Sequence, residues 1–479
     1  MIDLSLAEIT AIVGGQPYDL PDPEQRVTGP VVIDSRDVRP GGLFAAFAGE
    51  HVDGHDYAER AVEAGAAVVL AARPLGGGDR AVPTIVVDDV VAALGALARA
   101  VARRLGATLV ALTGSVGKTS TKDLIAQLLE RIGPTVWTPG SFNNEIGLPL
   151  TALRADAATR HLVLEMGARS IGHIRYLTEL TPPRVGVVLN VGTAHIGEFG
   201  GREQIAEAKG ELVEALPTEA EGGIAVLNAD DPLVRAMGAR TKARTVLFGE
   251  AQDADVRAEG VRLTEDGRPA FTLHTPTGCG PVTMRLYGEH HVSNALAAAA
   301  VAHELGMPAD EIARALSEAG QLSRWRMEVT ERADGVTIVN DAYNANPESM
   351  RAALRALVAM GGAASAAGGR TWAVLGQMAE LGEESLAEHD AVGRLAVRLN
   401  VSKLVAVGGR EAAWLRMGAY NEGSWGEESV HVSDAQAAID LLRRELRPGD
   451  VVLVKASRSV GLERLGEALT AGEGEVAGS

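Results

Sequence analysis

The chain has 479 residues, of which 46% are hydrophobic and 23% are charged, a composition typical of globular proteins and a length that predicts two to three domains. Its formal net charge of −18 argues against a nucleic-acid-binding surface, because such a surface needs clustered Lys and Arg to neutralise phosphates. The single cysteine, Cys279, excludes a disulfide framework and any multi-cysteine metal site, which suits a reducing cytosol.

The beginning of the chain, M-I-D-L-S-L-A-E-I-T, carries acidic residues and lacks the basic stretch and apolar core of a signal peptide. The longest apolar runs, such as 61–72, are interrupted by Glu63 and Gly65 and are too short to span a bilayer. We therefore expect a cytoplasmic protein without a membrane span.

Short β-rich runs alternate with helical stretches along almost the whole chain, which predicts an α/β fold of parallel strands and crossover helices. We expect three domains: a smaller N-terminal α/β domain (1–100), a central P-loop-type domain with a mostly parallel sheet and helices (101–322), and a C-terminal Rossmann-like α/β domain (323–479). The predicted strands are 31–33, 43–47, 67–70, 84–87, 109–113, 162–166, 185–191, 224–228, 336–341, 372–376, 404–408 and 451–455. Alternating apolar residues around Asp266-Gly267 predict a hairpin of 261–264 and 270–274. The Ala- and Gly-rich segment 361–369 predicts a flexible surface loop.

Residues 108–123, T-L-V-A-L-T-G-S-V-G-K-T-S-T-K-D, predict a strand, a glycine-punctuated turn and the start of a helix. Gly114 and Gly117 allow positive φ, so that the turn can direct successive backbone N–H groups at an anion near the helix N-terminus. Lys118 would reach the β- and γ-phosphates of a nucleotide, and Thr119 or Ser120 would offer a hydroxyl to Mg²⁺. Leu112 stands where the longer G-x-x-x-x-G-K-[ST] pattern has glycine, so the loop has a shorter T-G-x-x-G-K-T form. The alternative is a glycine-rich turn that binds nothing.

Polar residues end or follow several predicted strands, and in open α/β sheets ligands bind outside the carboxyl ends of strands. Glu165 ends an apolar strand, where a carboxylate is costly unless it is paired or bound to a cation. His195, in a loop after the next strand, can offer a neutral imidazole to a metal, although by itself it favours an ordinary hydrogen-bonded loop histidine. Lys209 stands between glutamates on a predicted helix, and its sequence alone favours a solvated lysine.

Further polar residues stand near the second domain boundary. His291 and Asn294 open an alanine-rich helix and either cap it or contact an adenine. Arg326 and the segment 341–347, D-A-Y-N-A-N-P, follow the boundary. Such a segment forms a tight turn or holds a nucleotide between domains.

The segments T-G-S-V-G-K-T-S, L-E-M-G, A-H-I-G-E-F-G, E-A-K-G-E and H-x-x-N-A-L-A-A, in this order, resemble the motifs of the Mur ligases, the ATP-dependent amide-forming family of peptidoglycan assembly. The resemblance extends over essentially the whole chain. Within the family, N-D-A-Y-N-A-N-P-E-S-M and G-S-F-N-N-E-I-G-L-P-L are similar to the D-alanyl-D-alanine-adding branch, and the D-N-P-R signature of a diaminopimelate-adding relative is absent. Ala456 departs from the K-G-S-R pattern of the family, which weakens any assignment for Lys455, Ser457 and Arg458.

The resemblance implies a monomer that joins UDP-N-acetylmuramoyl-tripeptide and D-alanyl-D-alanine with ATP and two Mg²⁺ ions. Thr119 and Glu165 would ligate one ion, and His195 and a Lys209 carbamylated by CO₂ would ligate the other. The catalytic residues would be Lys118, Glu165, His195 and Lys209. ATP would be held by Gly114, Ser115, Val116, Gly117, Lys118, Thr119, Ser120, Asn294, Arg326, Asp341 and Asn344. The substrate would be bound by Ser35, Arg36, Asn143 and Asn144, the first two at its UDP end.

The implied reaction activates a carboxylate as an acyl phosphate, which an amine then attacks. The open alternatives are a sibling of the same family, such as another amino-acid-adding enzyme or a folylpolyglutamate synthase, a regulatory P-loop ATPase, and a nucleotide-binding scaffold without turnover. Phosphate release that depends on both small substrates separates the ligase from the last two.

Overall fold

The described residues form four β-sheets, two in the N-terminal third and one in each of the other thirds of the chain. The computed structural model describes residues 1–49, 52–76, 81–192, 196–366 and 368–470. Within these ranges, no helix has the length and apolar character needed to cross a lipid bilayer.

The N-terminal third contains a five-stranded sheet, a separate two-stranded sheet and three helices. Its strands are β1 (Leu4–Ser5), β2 (Gln16–Tyr18), β3 (Arg26–Val27), β4 (Val31–Val32), β5 (Leu43–Ala45), β6 (Val68–Ala71) and β7 (Thr84–Val86), and its helices are α1 (Leu6–Val13), α2 (Ala58–Glu63) and α3 (Val90–Arg104). The order β2-β7-β6-β5-β4 is parallel except for β2, and β1 pairs separately with β3. The four strands predicted here are present, each shifted by no more than two residues at an end.

The central third contains nine strands and eight helices among the described residues. The strands are β8 (Thr108–Thr113), β9 (Thr135–Trp137), β10 (His161–Glu165), β11 (Val185–Val188), β12 (Ile224–Asn228), β13 (Arg244–Gly249), β14 (Val256–Leu263), β15 (Pro269–Thr275) and β16 (Gly278–Thr283). The helices are α4 (Lys118–Glu130), α5 (Gly147–Ala152), α6 (His173–Leu180), α7 (Ile196–Phe199), α8 (Arg202–Glu214), α9 (Pro232–Arg235), α10 (His291–Glu304) and α11 (Ala309–Glu318).

Strand β8 lies inside the central sheet, whose order is β16-β15-β14-β13-β12-β11-β8-β10-β9. The strands from β9 to β14 are parallel, and β14, β15 and β16 form the antiparallel edge. The predicted hairpin is confirmed as β14 and β15, with Gly267 in the turn at φ +85°. Because β8, β10 and β11 are neighbours, the loops after them come together at one edge of the sheet.

The C-terminal third has a six-stranded sheet in the order β17-β18-β22-β19-β20-β21, parallel except for β17. The strands are β17 (Glu328–Glu331), β18 (Thr337–Asn340), β19 (Thr371–Leu375), β20 (Lys403–Val407), β21 (Ser429–Val432) and β22 (Val451–Lys455). The helices are α12 (Pro347–Ala366), α13 (Ser385–Arg398), α14 (Arg410–Asn421), α15 (Ala435–Glu445) and α16 (Glu463–Thr470). The three-domain α/β architecture agrees with the expected fold class.

The prediction of a loop over 361–369 is wrong, because α12 continues to Ala366. A Cβ on Gly361 would lie 2.2 Å from Thr371 Cγ2, so glycine lets the helix pass close to β19. The glycine therefore reflects helix-to-strand packing rather than a break in the helix.

The buried Asp450, which is 1% exposed, connects the beginnings of β19 and β22 through its side chain. Its carboxylate accepts hydrogen bonds from Arg370 Nη2 at 2.7 Å and from Trp372 Nε1 at 3.0 Å. Burial by itself raises the pKa of this carboxyl, but its hydrogen bonds, above all that from Arg370, give a net lowering of the pKa. Folding therefore favours the ionised form.

We expect Asp450→Ala to lower the free energy of unfolding by about 3 kcal/mol, because it leaves the buried Trp372 N–H unpaired and removes the carboxylate that binds the Arg370 guanidinium. Denaturant unfolding of the full chain, followed by tryptophan fluorescence, measures the change. The control is Asp440→Ala, at an exposed position of α15.

Since the pKa of the Asp450 carboxyl is lowered in the folded state, its stabilisation is present above the unfolded pKa of about 4 and is lost as the pH falls through the folded value. If the difference in the free energy of unfolding between the wild type and Asp450→Asn grew as the pH was lowered, this account would be contradicted.

Candidate functional site

The loops after β8 and β10 open into a cavity of about 650 Å³. All three thirds of the chain contribute to its wall: Ile33 from the first, the 115–120 turn and Glu165 from the second, and Tyr343 and Arg458 from the third. The cavity therefore lies at the carboxyl ends of parallel strands, where a ligand site was expected.

The turn after β8 fits the expected phosphate cradle, with one difference in how its glycines act. Gly117 has φ +82° and precedes α4, and a Cβ there would lie 2.6 Å from Asn294 Oδ1. Gly114 does not have positive φ, but a Cβ there would lie 2.9 Å from the Cβ of Leu189. Both glycines are therefore required, Gly117 by backbone conformation and Gly114 by close packing.

Asn190, at the end of the segment after β11, holds this turn in place. Its Oδ1 accepts hydrogen bonds from the N–H groups of Ser115 at 3.0 Å and Val116 at 2.9 Å, and its Nδ2 donates to the Val116 carbonyl. Those two N–H groups are thus occupied, whereas α4 has no side-chain cap at its N-terminus. The N–H groups at the start of α4 therefore remain for an anion. No role was predicted for Asn190, and its place near the end of a predicted strand was the one signal for it.

Lys118 is folded back onto the turn that precedes it. Its Nζ donates to the Gly114 carbonyl at 2.7 Å. Burial lowers the pKa of Lys118, with Glu165 opposing this change and Arg326 adding to it. Because the amine lines the cavity and its acceptors among the described residues are backbone carbonyls, a phosphate can replace them.

Glu165 at the end of β10 is 1% exposed and lines the cavity. Its Oε1 accepts a hydrogen bond from Asn143 Nδ2 at 2.7 Å, and its backbone N–H donates to Thr138 Oγ1 at 3.0 Å. Its Oε2 is buried and has no partner among the residues that the structure describes. Thr119, the other expected Mg²⁺ ligand, also lines the cavity. An unsatisfied buried carboxylate oxygen and a hydroxyl beside a phosphate cradle are a donor set that fits Mg²⁺.

Lys209 lies in α8 and is 5% exposed, so the solvated lysine that its sequence suggests is not what the structure contains. It lines the cavity, and its amine has no hydrogen bond or ion pair with a described residue. Burial, with a contribution from the nearby Lys118, lowers its pKa well below the usual value. His195, the other expected ligand of the second ion, lies outside the described residues.

Asn294 and Asp341 lie behind the cavity wall rather than in it. Asn294 Oδ1 accepts a hydrogen bond from Thr121 Oγ1 at 3.1 Å. Asp341 forms a buried ion pair with Lys455 at 2.6 Å, and Lys455 Nζ also donates to the Asn344 carbonyl at 2.9 Å. Of the expected nucleotide residues near the boundary, Arg326 and Asn344 line the cavity.

Arg326 connects the C-terminal domain to the phosphate cradle. Its Nη2 donates to Thr119 Oγ1 at 3.3 Å, and its guanidinium carbon lies 4.2 Å from the centre of the Tyr343 ring. The Tyr343 hydroxyl is hydrogen-bonded to Ser141 Oγ of the central domain. Tyr343 and Ser141 thus join the two domains across the cavity, a contact that was not predicted from the sequence.

The expected substrate residues are divided between two places. Asn143 and Asn144 line the cavity, and Asn144 Oδ1 accepts a hydrogen bond from the Gly147 N–H at 2.9 Å. Ser35 is buried, and the exposed Arg36 forms an ion pair with Asp34. Neither of the two expected residues lines the cavity, although the neighbouring Ile33 does. The Arg36 side chain lowers the pKa of Asp34 to about 2.

The chain matches three models of known domains: "Mur ligase family, catalytic domain" over residues 30–102, "Mur ligase middle domain" over 112–302, and "Mur ligase, glutamate ligase domain" over 325–458. The UDP-N-acetylmuramoyl-tripeptide--D-alanyl-D-alanine ligase of Mycobacterium leprae is 50% identical over 519 aligned residues, which cover 99% of this chain and 100% of the relative.

Two solved structures are also similar over nearly their whole length. The MurF ligase of Thermotoga maritima in complex with ADP has 32% identity and a TM-score of 0.77, with 93% of this chain and 97% of that chain covered. The UDP-N-acetylmuramoylalanyl-D-glutamyl-2,6-diaminopimelate--D-alanyl-D-alanyl ligase of Acinetobacter baumannii has 29% identity and a TM-score of 0.82, with 98% of each chain covered. On this similarity in both sequence and structure, the chain belongs to the Mur ligase family.

Proposed function

We propose that this chain is an ATP-dependent ligase that joins D-alanyl-D-alanine to UDP-N-acetylmuramoyl-tripeptide in peptidoglycan precursor synthesis, releasing ADP and phosphate. The observation that carries the proposal is Glu165, whose buried Oε2 has no partner in the described part of the chain and which lines the cavity beside the expected phosphate cradle. The 50% identity with the M. leprae enzyme of that name supports the choice of the two substrates.

Thr119 and Glu165 would hold one Mg²⁺, and His195 and a carbamylated Lys209 would hold another. No group of three His, Cys, Asp or Glu side chains among the described residues could hold a metal ion by itself. This agrees with Mg²⁺ sites of nucleotide enzymes, in which phosphates and water supply most ligands. When bound, the ions supply neutralisation of the phosphate charge.

The Lys209 carbamate follows from the surroundings of the amine. A buried lysine without a partner is unfavourable as a cation. Attack of the neutral amine on CO₂, with loss of one proton, converts it into an anion that can ligate a cation. A carbamate would also balance the positive charge of the neighbouring Lys118.

In the first step, an oxygen of the terminal tripeptide carboxylate forms a bond to the γ-phosphorus of ATP, and the bond from that phosphorus to ADP breaks. Lys118 would leave the Gly114 carbonyl and bind the phosphates, and Arg326, held above Thr119, adds a second positive charge. These charges stabilise the transition state because charge spreads over the transferred phosphoryl group.

In the second step, the amine of D-alanyl-D-alanine attacks the acyl carbon, and phosphate leaves from the tetrahedral intermediate. An acyl phosphate hydrolyses readily, so water must be kept out. The contacts of Arg326 and Tyr343 with the central domain would close the cavity from the C-terminal side. Closure of this domain over bound ATP is the device that we propose for excluding water.

The substrates would be divided among the domains, for which we retain the boundaries 1–100, 101–322 and 323–479. The first domain would hold the UDP end through Ser35 and Arg36, and Asn143 and Asn144 would contact the remainder of that substrate. ATP would lie between the other two domains, bound by Gly114 to Ser120 and by Asn294, Arg326, Asp341 and Asn344. All three domains contribute to the cavity wall, and we propose that the enzyme acts as a monomer in the cytoplasm.

The central experiment is an assay of the purified chain with UDP-N-acetylmuramoyl-tripeptide, D-alanyl-D-alanine, ATP and Mg²⁺. We expect ADP and phosphate in equal amounts with the amide, and Lys118→Ala should lower the rate by about 10²- to 10³-fold because it removes a charge at the transferred phosphoryl group. The exposed Lys242→Ala is the matched control. Formation of AMP and pyrophosphate, or ADP release that requires no peptide substrate, would contradict the proposal.

Lys209→Ala should abolish turnover, and short carboxylic acids such as acetate should restore part of it by occupying the place of the carbamate. The same acids should not stimulate the wild type or Lys118→Ala. Mass spectrometry under CO₂ and after acidification provides a second measurement, since a carbamate is lost in acid. A Lys209→Ala variant that remains active without added acid would rule out the carbamate as a required ligand.

Tyr343 variants separate the two contacts of this side chain. Tyr343→Phe keeps the ring under Arg326 but removes the bond to Ser141, and we expect the KM for ATP to rise about 5-fold. Tyr343→Leu also removes the cation–π contact and should release more ADP per amide formed, because the cavity closes poorly. Tyr420→Phe, on an exposed tyrosine of α14, is the control. An unchanged ratio of ADP to amide in Tyr343→Leu would show that this contact does not protect the acyl phosphate.

A further inference from the structure

The cavity wall carries the cationic side chains Lys118, Arg169, Lys209, Arg326 and Arg458. Lys118 and Arg326 bind groups of the phosphate cradle, Arg458 forms an ion pair within the C-terminal domain at 2.6 Å, and Lys209 is the carbamate candidate. Arg169 is exposed and makes no hydrogen bond, ion pair or ring contact with any residue that the structure describes, whereas Lys209, which also lacks a described partner, is buried. The Arg169 guanidinium is therefore the exposed cavity cation without an acceptor among the described residues.

The loop that bears Arg169, residues 167–172, is fastened at both ends. At one end the Gly167 N–H donates to the Asn143 carbonyl at 2.9 Å. At the other end the Gly172 N–H donates at 2.6 Å to Glu211, whose side chain is 1% exposed. A cation carried on an anchored loop is suited to binding, because little backbone entropy is lost when it meets its ligand.

Glu211 also occupies the N-terminus of α6, which could otherwise bind an anion. It accepts a hydrogen bond from the Arg175 N–H in the first turn of α6 at 3.1 Å, so the start of this helix already has its anion. An anion entering this part of the cavity would therefore meet the Arg169 guanidinium rather than the helix.

The position of Arg169 relates it to the reacting end of the peptide substrate. It follows Glu165 by four residues, and Asn143 contacts both this carboxylate, through its side chain, and the Arg169 loop, through its backbone. Arg169 thus lies on the wall beside the proposed metal ligand, on the side formed by the expected substrate residues Asn143 and Asn144.

The peptide substrate has carboxylates that do not react. A glutamyl residue uses one of its two carboxyl groups in the peptide and keeps the other free, and a third residue such as diaminopimelate has a second carboxyl besides the one that accepts the new amide. We propose, resting on the function proposed above, that Arg169 binds one of these free carboxylates and so selects which peptides are accepted. A guanidinium suits this task because it binds carboxylates through two parallel hydrogen bonds.

The test compares wild type and Arg169→Ala on three UDP-linked tripeptides. One has both free carboxylates, one has the glutamyl carboxylate converted to an amide, and one has lysine in place of diaminopimelate. If Arg169 binds one of these groups, removing the arginine or removing that group should each lower kcat/KM by about 10- to 100-fold, and removing both should lower it no further. The carboxylate that Arg169 binds is the one missing from the peptide on which Arg169→Ala causes no further loss of kcat/KM.

Controls separate this inference from the function on which it rests. The KM values for ATP and D-alanyl-D-alanine should not change in Arg169→Ala, and Arg169→Lys should recover part of the loss. The matched control is Arg314→Ala, an exposed arginine on α11. The role of Arg169 would be overturned if Arg169→Ala had wild-type kcat/KM, or if it lowered kcat/KM on both modified peptides as much as on the unmodified peptide. In either case the turnover of the wild type, and with it the proposed function, would stand. Absence of wild-type turnover with all three peptides would instead overturn the proposed function.

Discussion

A buried carboxylate with one unsatisfied oxygen sets the chemistry of this site. Leaving a charged oxygen buried without a partner costs several kcal/mol, so a fold retains it only if the surrounding residues hold it for a ligand. Asn143 and Thr138 hold Glu165 by hydrogen bonds, but neither contacts Oε2. Through Asn143, the same carboxylate is connected to the loop of Arg169. The same residue, Asn143, therefore holds both the proposed metal ligand and the part of the cavity wall that bears Arg169.

The C-terminal domain contributes through a short segment after β18 and the end of β22. The buried Lys455–Asp341 pair fixes this segment, and Tyr343 extends from it toward the central domain, where Arg326, which precedes β17, lies over the Tyr343 ring. Ala456, which departs from the family's glycine, is fully buried, and a Cβ on Gly376 would lie 2.8 Å from its Cβ. The absence of a side chain at Gly376 thus leaves room for the methyl group of Ala456. Ser457 and Arg458 consequently still reach the cavity wall.

The sequence predicts most of what depends on local pattern. The apolar strands at 109–113, 162–166 and 451–455 are present within one residue, because buried parallel strands are continuous apolar runs bounded by turns. The α12 helix was missed because Gly361 was interpreted through its local propensity, whereas its packing against Thr371 requires glycine. Of the site, the phosphate cradle and Glu165 follow from sequence, since they combine a motif with a charge at a strand end.

Contacts between distant segments could not be predicted. Asn190, Ser141 and Tyr343 act on residues 74 or more positions away, and nothing in their neighbouring sequence indicates the partner. Lys209 looks solvated between two glutamates, but the helix places it on the cavity side. The unpaired state of Arg169 is likewise a property of the assembled wall, because it consists of the absence of an anion from every segment that the structure describes nearby.

The distribution of charge explains why these particular contacts matter. The chain has a formal net charge of −18, yet its proposed substrates are a nucleoside triphosphate and a UDP-linked peptide, both anionic. At long range such a protein repels its substrates, and this repulsion is screened beyond about 10 Å at ordinary ionic strength. Attraction must therefore come from the cations that line the cavity, at short distance from the bound substrates. Each cation that an internal carboxylate neutralised would be lost for this purpose. The cavity accordingly holds Lys118 on backbone carbonyls, Arg326 on a hydroxyl and Arg169 on no group of the described chain, so that these three charges remain available to the substrates.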